Sequence, residues 1–269
     1  MNSRPSAIIL AAGKGTRMKS DLPKVVHEVA GSPMVRWVAR ACAGAGCGRV
    51  ILVVGHMQEL VRRIFADWDQ QKEGAAVEFV EQTEQHGTGH AAACAAPRLE
   101  REAAEPGNAV FVLAGDGPLV RASTIRSLGE HHRRTGAAAT MATAVIDDPI
   151  GYGRITRDAQ GRFSAIVEEK HLTAQQRGIR EVNPSYYCFD AQALFSALPA
   201  LKRNSVAGEY YLTDVPEMLL KRGMRVETMQ GVRAEEVLSV NTPEQLAQVD
   251  RILRERDGAA DRAIAGGRR

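Results

Sequence analysis

The sequence has no excess of either charge sign, no long apolar run, no paired cysteines and no internal repeat. Each absence closes off a class of function. Lysine and arginine number 35 against 32 aspartate and glutamate, a formal net charge of +3. That balance argues against a broad nucleic-acid-binding surface and makes any important positive charge local. No apolar stretch approaches the roughly 20 residues of a membrane span, and Met1 to Pro5 is not followed by the core and cleavage site of a signal peptide. A cytoplasmic protein with no membrane partner is expected. The four cysteines, Cys42, Cys47, Cys94 and Cys188, include no C-x-x-C pair and no zinc spacing. They read as reduced thiols, mostly buried. His86 and His90 stand four apart, but Gly87 and Gly89 favour a loop over a metal-binding helix face. No hexapeptide pattern of the kind that builds a parallel β-helix is present.

What is present is an ordinary globular composition, 44% hydrophobic and 25% charged over 269 residues, enough for one large domain or two smaller ones. Short apolar runs at Ala7 to Leu10, Arg49 to Val54, Val77 to Val80 and Ala109 to Leu113 predict strands. Between and after them, helices are predicted at Pro33 to Ala45, Met57 to Trp68, Thr88 to Glu100 and Ser123 to Thr135. This alternation implies an α/β fold with a parallel-type sheet and helices on both faces. Val50-Ile51-Leu52-Val53-Val54 suits a strand covered on both sides.

After Ala139 the pattern loosens. Strands are expected at Met141 to Val145, Gly153 to Thr156, Phe163 to Val167, Ser185 to Phe189, Val226 to Met229 and Val237 to Val240. Helices are expected at Ala191 to Leu198, Leu212 to Arg222 and Pro243 to Arg256, the last capped by Thr242 with Pro243 at the first helical position. Asp257 to Arg269, rich in Gly, Ala and Arg, reads as a frayed tail.

The most informative stretch is Ile8-Ile9-Leu10-Ala11-Ala12-Gly13-Lys14-Gly15-Thr16-Arg17-Met18, with Lys24 following in Asp21-Leu22-Pro23-Lys24. An apolar run ending in small residues lets backbone N–H groups approach an anion, and Arg17 and Lys24 follow at loop spacing. Backbone donors with two cations suit a triphosphate; a strand-to-helix turn with solvated cations is the plainer alternative. Neither G-x-x-x-x-G-K-[ST] nor a third glycine after G-x-G is present, so the ATPase and dinucleotide templates do not apply.

Asp116, in Leu113-Ala114-Gly115-Asp116-Gly117-Pro118, follows an apolar strand and so falls where open α/β sheets bind ligands. It is either a Mg²⁺ ligand or a turn former. Asn241, after Val237 to Val240, is a second candidate ligand or a neighbour of the helix cap. Gln82 and the loop Gln85-His86-Gly87-Thr88-Gly89-His90 offer an amide for a base edge beside backbone that can approach a flat ring, or a simple glycine turn. Gly153, Glu168 and Asn183 carry small, acidic and amide groups suited to a sugar, though each has an ordinary structural reading.

Five strings in register closely resemble the uridyltransferase domain of the bacterial N-acetylglucosamine-1-phosphate uridyltransferases, within the sugar-phosphate nucleotidyltransferase family. They are Leu10 to Met18, Asp21 to Val25, Gly87 to Ala91, Gly151 to Ile155 and Gly208 to Asp214, and the likeness covers roughly Ala7 to Asp250. The resemblance implies a Rossmann-like nucleotidyltransferase fold of GT-A type, with a mixed central sheet and a smaller β-rich sugar-binding lobe mostly over 140–230. The domain would span 1–242, followed by a C-terminal helix over 243–257 and a flexible tail over 258–269. The resemblance further implies that Leu10, Ala11, Ala12, Gly13, Gln82, Gly87 and Thr88 bind the uridine nucleotide. Arg17 and Lys24 would meet its phosphates, and Asp116 and Asn241 would hold Mg²⁺. Gly153, Glu168 and Asn183 would contact the amino sugar, with Gly115 beside the metal ligand.

The expected substrates are UTP and a hexosamine 1-phosphate. Three departures qualify the likeness. Ala114 stands where the family usually has an aromatic or similar residue, and Asn183-Pro184-Ser185 replaces Asn-Thr-Gly or Asn-Ser-Gly, which puts the sugar in question. The acetyltransferase β-helix domain is missing, so acetyl transfer is not expected, and neither is the trimer that such a domain forms; a monomer is favoured. The alternatives are a nucleotidyltransferase for another sugar phosphate or nucleotide, and a non-catalytic nucleotide-sugar-binding regulator.

Overall fold

The computed structural model describes residues 4–266 of the chain, the side chains of residues 16 and 257–266 excepted. In chain order the elements are β1 (Ser6–Leu10), β2 (Glu28–Val29), β3 (Ser32–Pro33), α1 (Met34–Gly44), β4 (Arg49–Val54), α2 (Gln58–Ile64), β5 (Ala76–Glu81), α3 (Thr88–Cys94), α4 (Glu100–Ala104) and β6 (Ala109–Ala114). They continue with α5 (Ala122–Thr135), β7 (Ala139–Val145), β8 (Gly153–Arg157), β9 (Phe163–Val167), β10 (Glu181–Asn183), β11 (Tyr186–Asp190), α6 (Ala191–Ala197), α7 (Asp214–Lys221), β12 (Val226–Gln230) and α8 (Pro243–Gly266). Ten strands form one mixed sheet in the order β5-β4-β1-β6-β11-β7-β10-β8-β9, with β12 beside β7.

The strands β5, β4, β1 and β6 are parallel, whereas β11 runs antiparallel between β6 and β7. The less regular second half therefore extends the first sheet. From β1 the chain steps outward to β4 and β5, then returns to the other side of β1 as β6. That reversal is a topological switch point, where the carboxyl ends of neighbouring strands splay and leave a crevice.

Period-two alternation explains how β4 is buried on both faces. Val50, Leu52 and Val54 join one core with Val35, Val38 and Cys42 of α1 and Ile125 and Leu128 of α5. Ile51 and Val53 join the other, with Ala91 and Ala92 of α3, Leu194 of α6 and Val215 and Leu219 of α7. A third, smaller cluster gathers Met18, Val29, Met34, Leu119 and Val240 under Val249 and Leu253 of α8.

Several sequence expectations are corrected. Val237 to Val240 is not a strand: a 3₁₀ turn covers Ala234–Val237 and the rest is irregular. Its valines are apolar because they enter two different cores, and Val240 N–H bonds only across the loop to the Asp116 carbonyl, at 3.0 Å. Helix α8 runs to Gly266, ten residues past the expected end and into the supposed tail. Ala259, Ala260, Ala263 and Ala265 supply strong helix propensity without an apolar stripe; residues 267–269 of the expected tail lie outside the described residues. The expected helix from Thr88 to Glu100 breaks before Pro97, whose ring and missing N–H do not fit a helix interior. The β2–β3 hairpin and the three-residue β10 were too short to carry a visible period.

Helix α5 ends at Gly136, which is left-handed at φ +60° and donates its N–H to the His132 carbonyl. His132 is buried, 3.0 Å from the Thr140 hydroxyl, and burial pushes its imidazole down to about 4. The unfolded chain protonates this ring near 6.5, so between about pH 6.5 and 4 it binds more protons than the native state. Stability from this group is complete above pH 6.5 and falls by about 3 kcal/mol as pH drops through that window. Denaturant unfolding at pH 7.5 and 4.5 is expected to show this loss, and His132→Gln to flatten it; an equal slope in the variant refutes the assignment.

Candidate active site

The crevice at the switch point is built by backbone first. Leu10 and Ala114, the last residues of β1 and β6, are paired. Just beyond them Gly115 N–H donates to the Leu10 carbonyl and Ala11 N–H to Val53, each at 2.9 Å. Between these ends lies a cleft of about 310 Å³. Leu10, Ala12, Gly13, Lys24, Asp116 and Glu168 line it together with Gln82, Gly87 and Thr88. Nine of the sequence candidates, from five separate segments, thus meet at one opening. The remaining candidates lie around or behind it.

At one end of the cleft, Lys24 Nζ contacts an Asp116 carboxylate oxygen and donates to Asn241 Oδ1 at 2.9 Å. Arg17 donates to the same Oδ1 at 2.8 Å. The Lys24 and Asp116 side chains are only 16% and 17% exposed, so their attraction is less screened than that of a surface pair. Gly15 makes the approach possible, since a Cβ there would sit 2.5 Å from Lys24 Cβ. Asn241 is held from both sides, its N–H on Gln245 Oε1 at 2.8 Å and its amide nitrogen near Ser239 Oγ at 3.3 Å.

The third core cluster fixes these loops from beneath. Met18 follows Arg17, Leu119 lies three residues after Asp116 and Val240 precedes Asn241; all three pack under α8. The Thr242 hydroxyl caps that helix by accepting from Gln245 N–H at 3.3 Å, as its position predicted. Burial raises the phenol of Tyr152, from the Gly-Tyr-Gly string.

At the opposite end, Gln82 is 4% exposed. Its amide nitrogen is 3.1 Å from the Gly87 carbonyl and 3.0 Å from His90 Nδ1. With the nitrogen turned to those partners, the amide oxygen is left as an acceptor for a ligand N–H. Residues 86–89 and 210–212 clasp each other. Tyr210 N–H donates to His86, Gly89 N–H to Tyr210 and Leu212 N–H to Thr88 Oγ1, at 2.8, 2.8 and 3.0 Å. Gly87 is glycine for this clasp: a Cβ would stand 2.6 Å from the Tyr210 carbonyl oxygen. Backbone packing thus gives Gly87 a structural requirement while it also lines the cleft.

At the third wall, Glu168 Oε1 accepts from the Thr213 hydroxyl at 2.9 Å. Asn183 is buried, and its amide donates to the Tyr187 hydroxyl at 2.6 Å. Asn183 therefore stands behind Tyr187, which lines the cleft with Ser185 and Thr213. Burial raises the Tyr187 phenol, keeping it a neutral donor at neutral pH. Gly153 is a packing glycine of β8, with Ile166 Cγ2 3.0 Å from where its Cβ would be. Ala11 belongs to the core on the far side of β1, and the N–H groups of Ala11 and Gly115 are already paired.

Ser185, Tyr187, Glu209, Leu212 and Thr213 also line the cleft and had not been singled out as site residues. The Gly208 to Asp214 string carried the signal for the last three. A larger hollow, about 1100 Å³, opens at the other end of the strands among Arg4, Asn108, His132 and Met224. None of the sequence candidates lines it.

Residues 7–209 match the model of the MobA-like NTP transferase domain. The chain is 46% identical over 251 residues to the bifunctional protein GlmU of Geobacter metallireducens, covering 93% of this chain and 51% of the relative. It is 50% identical over 242 residues to the bifunctional protein GlmU of Carboxydothermus hydrogenoformans, covering 90% and 51%. The chain thus spans about half the length of the curated relatives it matches. A structure assigned as a glucose-1-phosphate thymidylyltransferase of Bacillus anthracis, solved with sucrose, superposes with a TM-score of 0.73. It is 20% identical, and the match covers 93% of this chain and 95% of that one, which supports a shared fold. Among the described residues no helix is long and apolar enough to cross a membrane.

Proposed function

Because the chain belongs to the MobA-like NTP transferase domain family, we propose that it transfers the uridylyl group of UTP to N-acetylglucosamine 1-phosphate, releasing pyrophosphate. The observation that carries this reading is the meeting of Lys24 and Arg17 with Asp116 and Asn241 at the carboxyl ends of β1 and β6. Likeness to GlmU over almost the whole chain supports the uridylyl and amino-sugar assignments.

The donor set suits a divalent cation. Asp116 and Asn241 present a carboxylate and an amide oxygen that already converge on one cation, Lys24 Nζ. Among the described residues no group of three His, Cys, Asp or Glu forms a closed metal cage. Two protein oxygens leave room for phosphate oxygens and water, the usual arrangement for Mg²⁺. When bound there, Mg²⁺ would supply charge neutralisation to the phosphates.

The protein's own part is positioning and charge. A phosphate oxygen of the sugar phosphate attacks the α-phosphorus in line, and the bond from that phosphorus to the bridging oxygen breaks. The electron pair leaves on pyrophosphate. The nucleophile is already an anion, so no general base is required. Lys24 and Arg17 stabilise charge on the α-phosphate and the leaving group. The Gln82 amide oxygen accepts the uracil N–H, and Glu168 and Tyr187 orient sugar hydroxyls.

Pyrophosphate release from each nucleoside triphosphate paired with N-acetylglucosamine, N-acetylgalactosamine, glucosamine and glucose 1-phosphate tests the reading. The expected best pair is UTP with N-acetylglucosamine 1-phosphate. Faster turnover with dTTP or CTP overturns the base assignment. Calorimetric binding of UDP-sugars without any turnover establishes a non-catalytic binder instead.

A further inference from the structure

We infer that Ser185 is a specificity-determining residue of the cleft, donating a hydrogen bond, alone or through Tyr187, to an acceptor on the sugar's 2-substituent. The inference rests on the nucleotidyltransferase reading above. Among the described residues five non-glycine residues have positive φ, namely Lys19, Ala30, Met57, Lys72 and Ser185. Of these only Ser185, at φ +64°, lines the cleft. A side chain in the left-handed region is disfavoured, and such outliers concentrate where a site requires them.

The strained turn is held in place locally. Pro184 limits the chain before Ser185, and Ser185 N–H donates to Asn183 Oδ1 at 3.1 Å, an Asx turn that tolerates the conformation. The other end of the Asn183 amide donates to the Tyr187 hydroxyl at 2.6 Å, and Ser185 and Tyr187 both line the cleft. One buried amide therefore positions both hydroxyls.

Proton counting shows what remains for a ligand. Tyr187 oxygen accepts from Asn183, which leaves its own O–H to donate. The Ser185 and Tyr187 hydroxyls each carry one proton that can be donated into the cleft they line. Glu168 on the same wall already accepts from Thr213, and a carboxylate offers only acceptors. The Ser185–Tyr187 pair is thus a donor on a wall otherwise suited to sugar hydroxyls, and it matches an acceptor such as an acetamido carbonyl oxygen. A site built to hydrogen-bond one group rejects an analogue lacking it far better than shape alone does.

The test compares kcat/KM for N-acetylglucosamine 1-phosphate and glucose 1-phosphate, each with UTP, in the parent, Ser185→Ala and Ser185→Gly. Alanine removes the hydroxyl but keeps the strained Cβ; glycine removes both. Both variants are expected to reduce the parent's preference at least tenfold, through a higher KM for the N-acetyl sugar. The unfolding midpoint should stay unchanged in Ser185→Ala and rise in Ser185→Gly. A preference within twofold of the parent in both variants overturns the inference. So does its loss in glycine alone, which would assign the effect to the turn. If the parent turns over neither sugar phosphate, the proposed activity fails, and the same comparison by calorimetry with UDP-N-acetylglucosamine and UDP-glucose still decides the role of Ser185.

Discussion

Replacing Asp116 with alanine should slow pyrophosphate release by roughly 10²- to 10³-fold, the scale seen when one preorganised charge contact is removed from a transition state. Among the described residues the carboxylate is the only acid paired with Lys24, and its loss leaves both cations on one neutral amide oxygen. Fold and activity separate cleanly at this position. The Asp116 backbone carbonyl, which accepts from Val240 N–H at 3.0 Å, is untouched by the substitution, so the variant should unfold close to the parent's midpoint. It should also need more Mg²⁺ for half-maximal rate. A folded variant with near-normal turnover at saturating Mg²⁺ removes Asp116 from the chemistry.

Gly87→Ala is expected to damage the fold and the nucleotide end together. Gly87 has φ +96° and ψ −178°, a region that is essentially glycine-only, and the added methyl would meet Tyr210 backbone at 2.6 Å. That backbone cannot retreat easily, because hydrogen bonds to His86 and Gly89 tie it on both sides. Strain and overpacking together cost about 3 kcal/mol or more, a fall of about 6–12 °C in unfolding midpoint for a chain of this size. The KM for UTP should rise as Thr88 and Gln82 lose their support. Gly208→Ala is the control, with φ +68° and no atom within 4 Å of the new methyl, and should cost about 1 kcal/mol. Equal losses in the two variants would show that the clasp contributes nothing beyond backbone conformation.

The two glycines also illustrate what sequence conveys. That Gly87 was required could be read from its string; what it was required for could not, since Tyr210 is more than a hundred residues away in the chain. Asn183 is similar. Its amide suits a sugar hydroxyl, yet it spends its hydrogen bonds on Tyr187 and Ser185, and the residues it supports are the ones facing the cleft. At Val237 to Val240, an apolar run resembling β4 became a loop because no neighbouring strand offers it a ladder.

The order of residues was enough to specify the parallel half of the sheet, because runs such as Val50 to Val54 are buried on both faces wherever they pair, and burial periodicity is a local property. It also carried the cations, the carboxylate and the glycine strings that mark the site. How these groups meet depends on the folded chain. Lys24 and Arg17 reach Asn241 across 217 and 224 residues, and α8 packs the residues beside Arg17, Asp116 and Asn241 into one cluster. The direction of a loop side chain depends on which distant surface its neighbours bury, and that is set when the core closes.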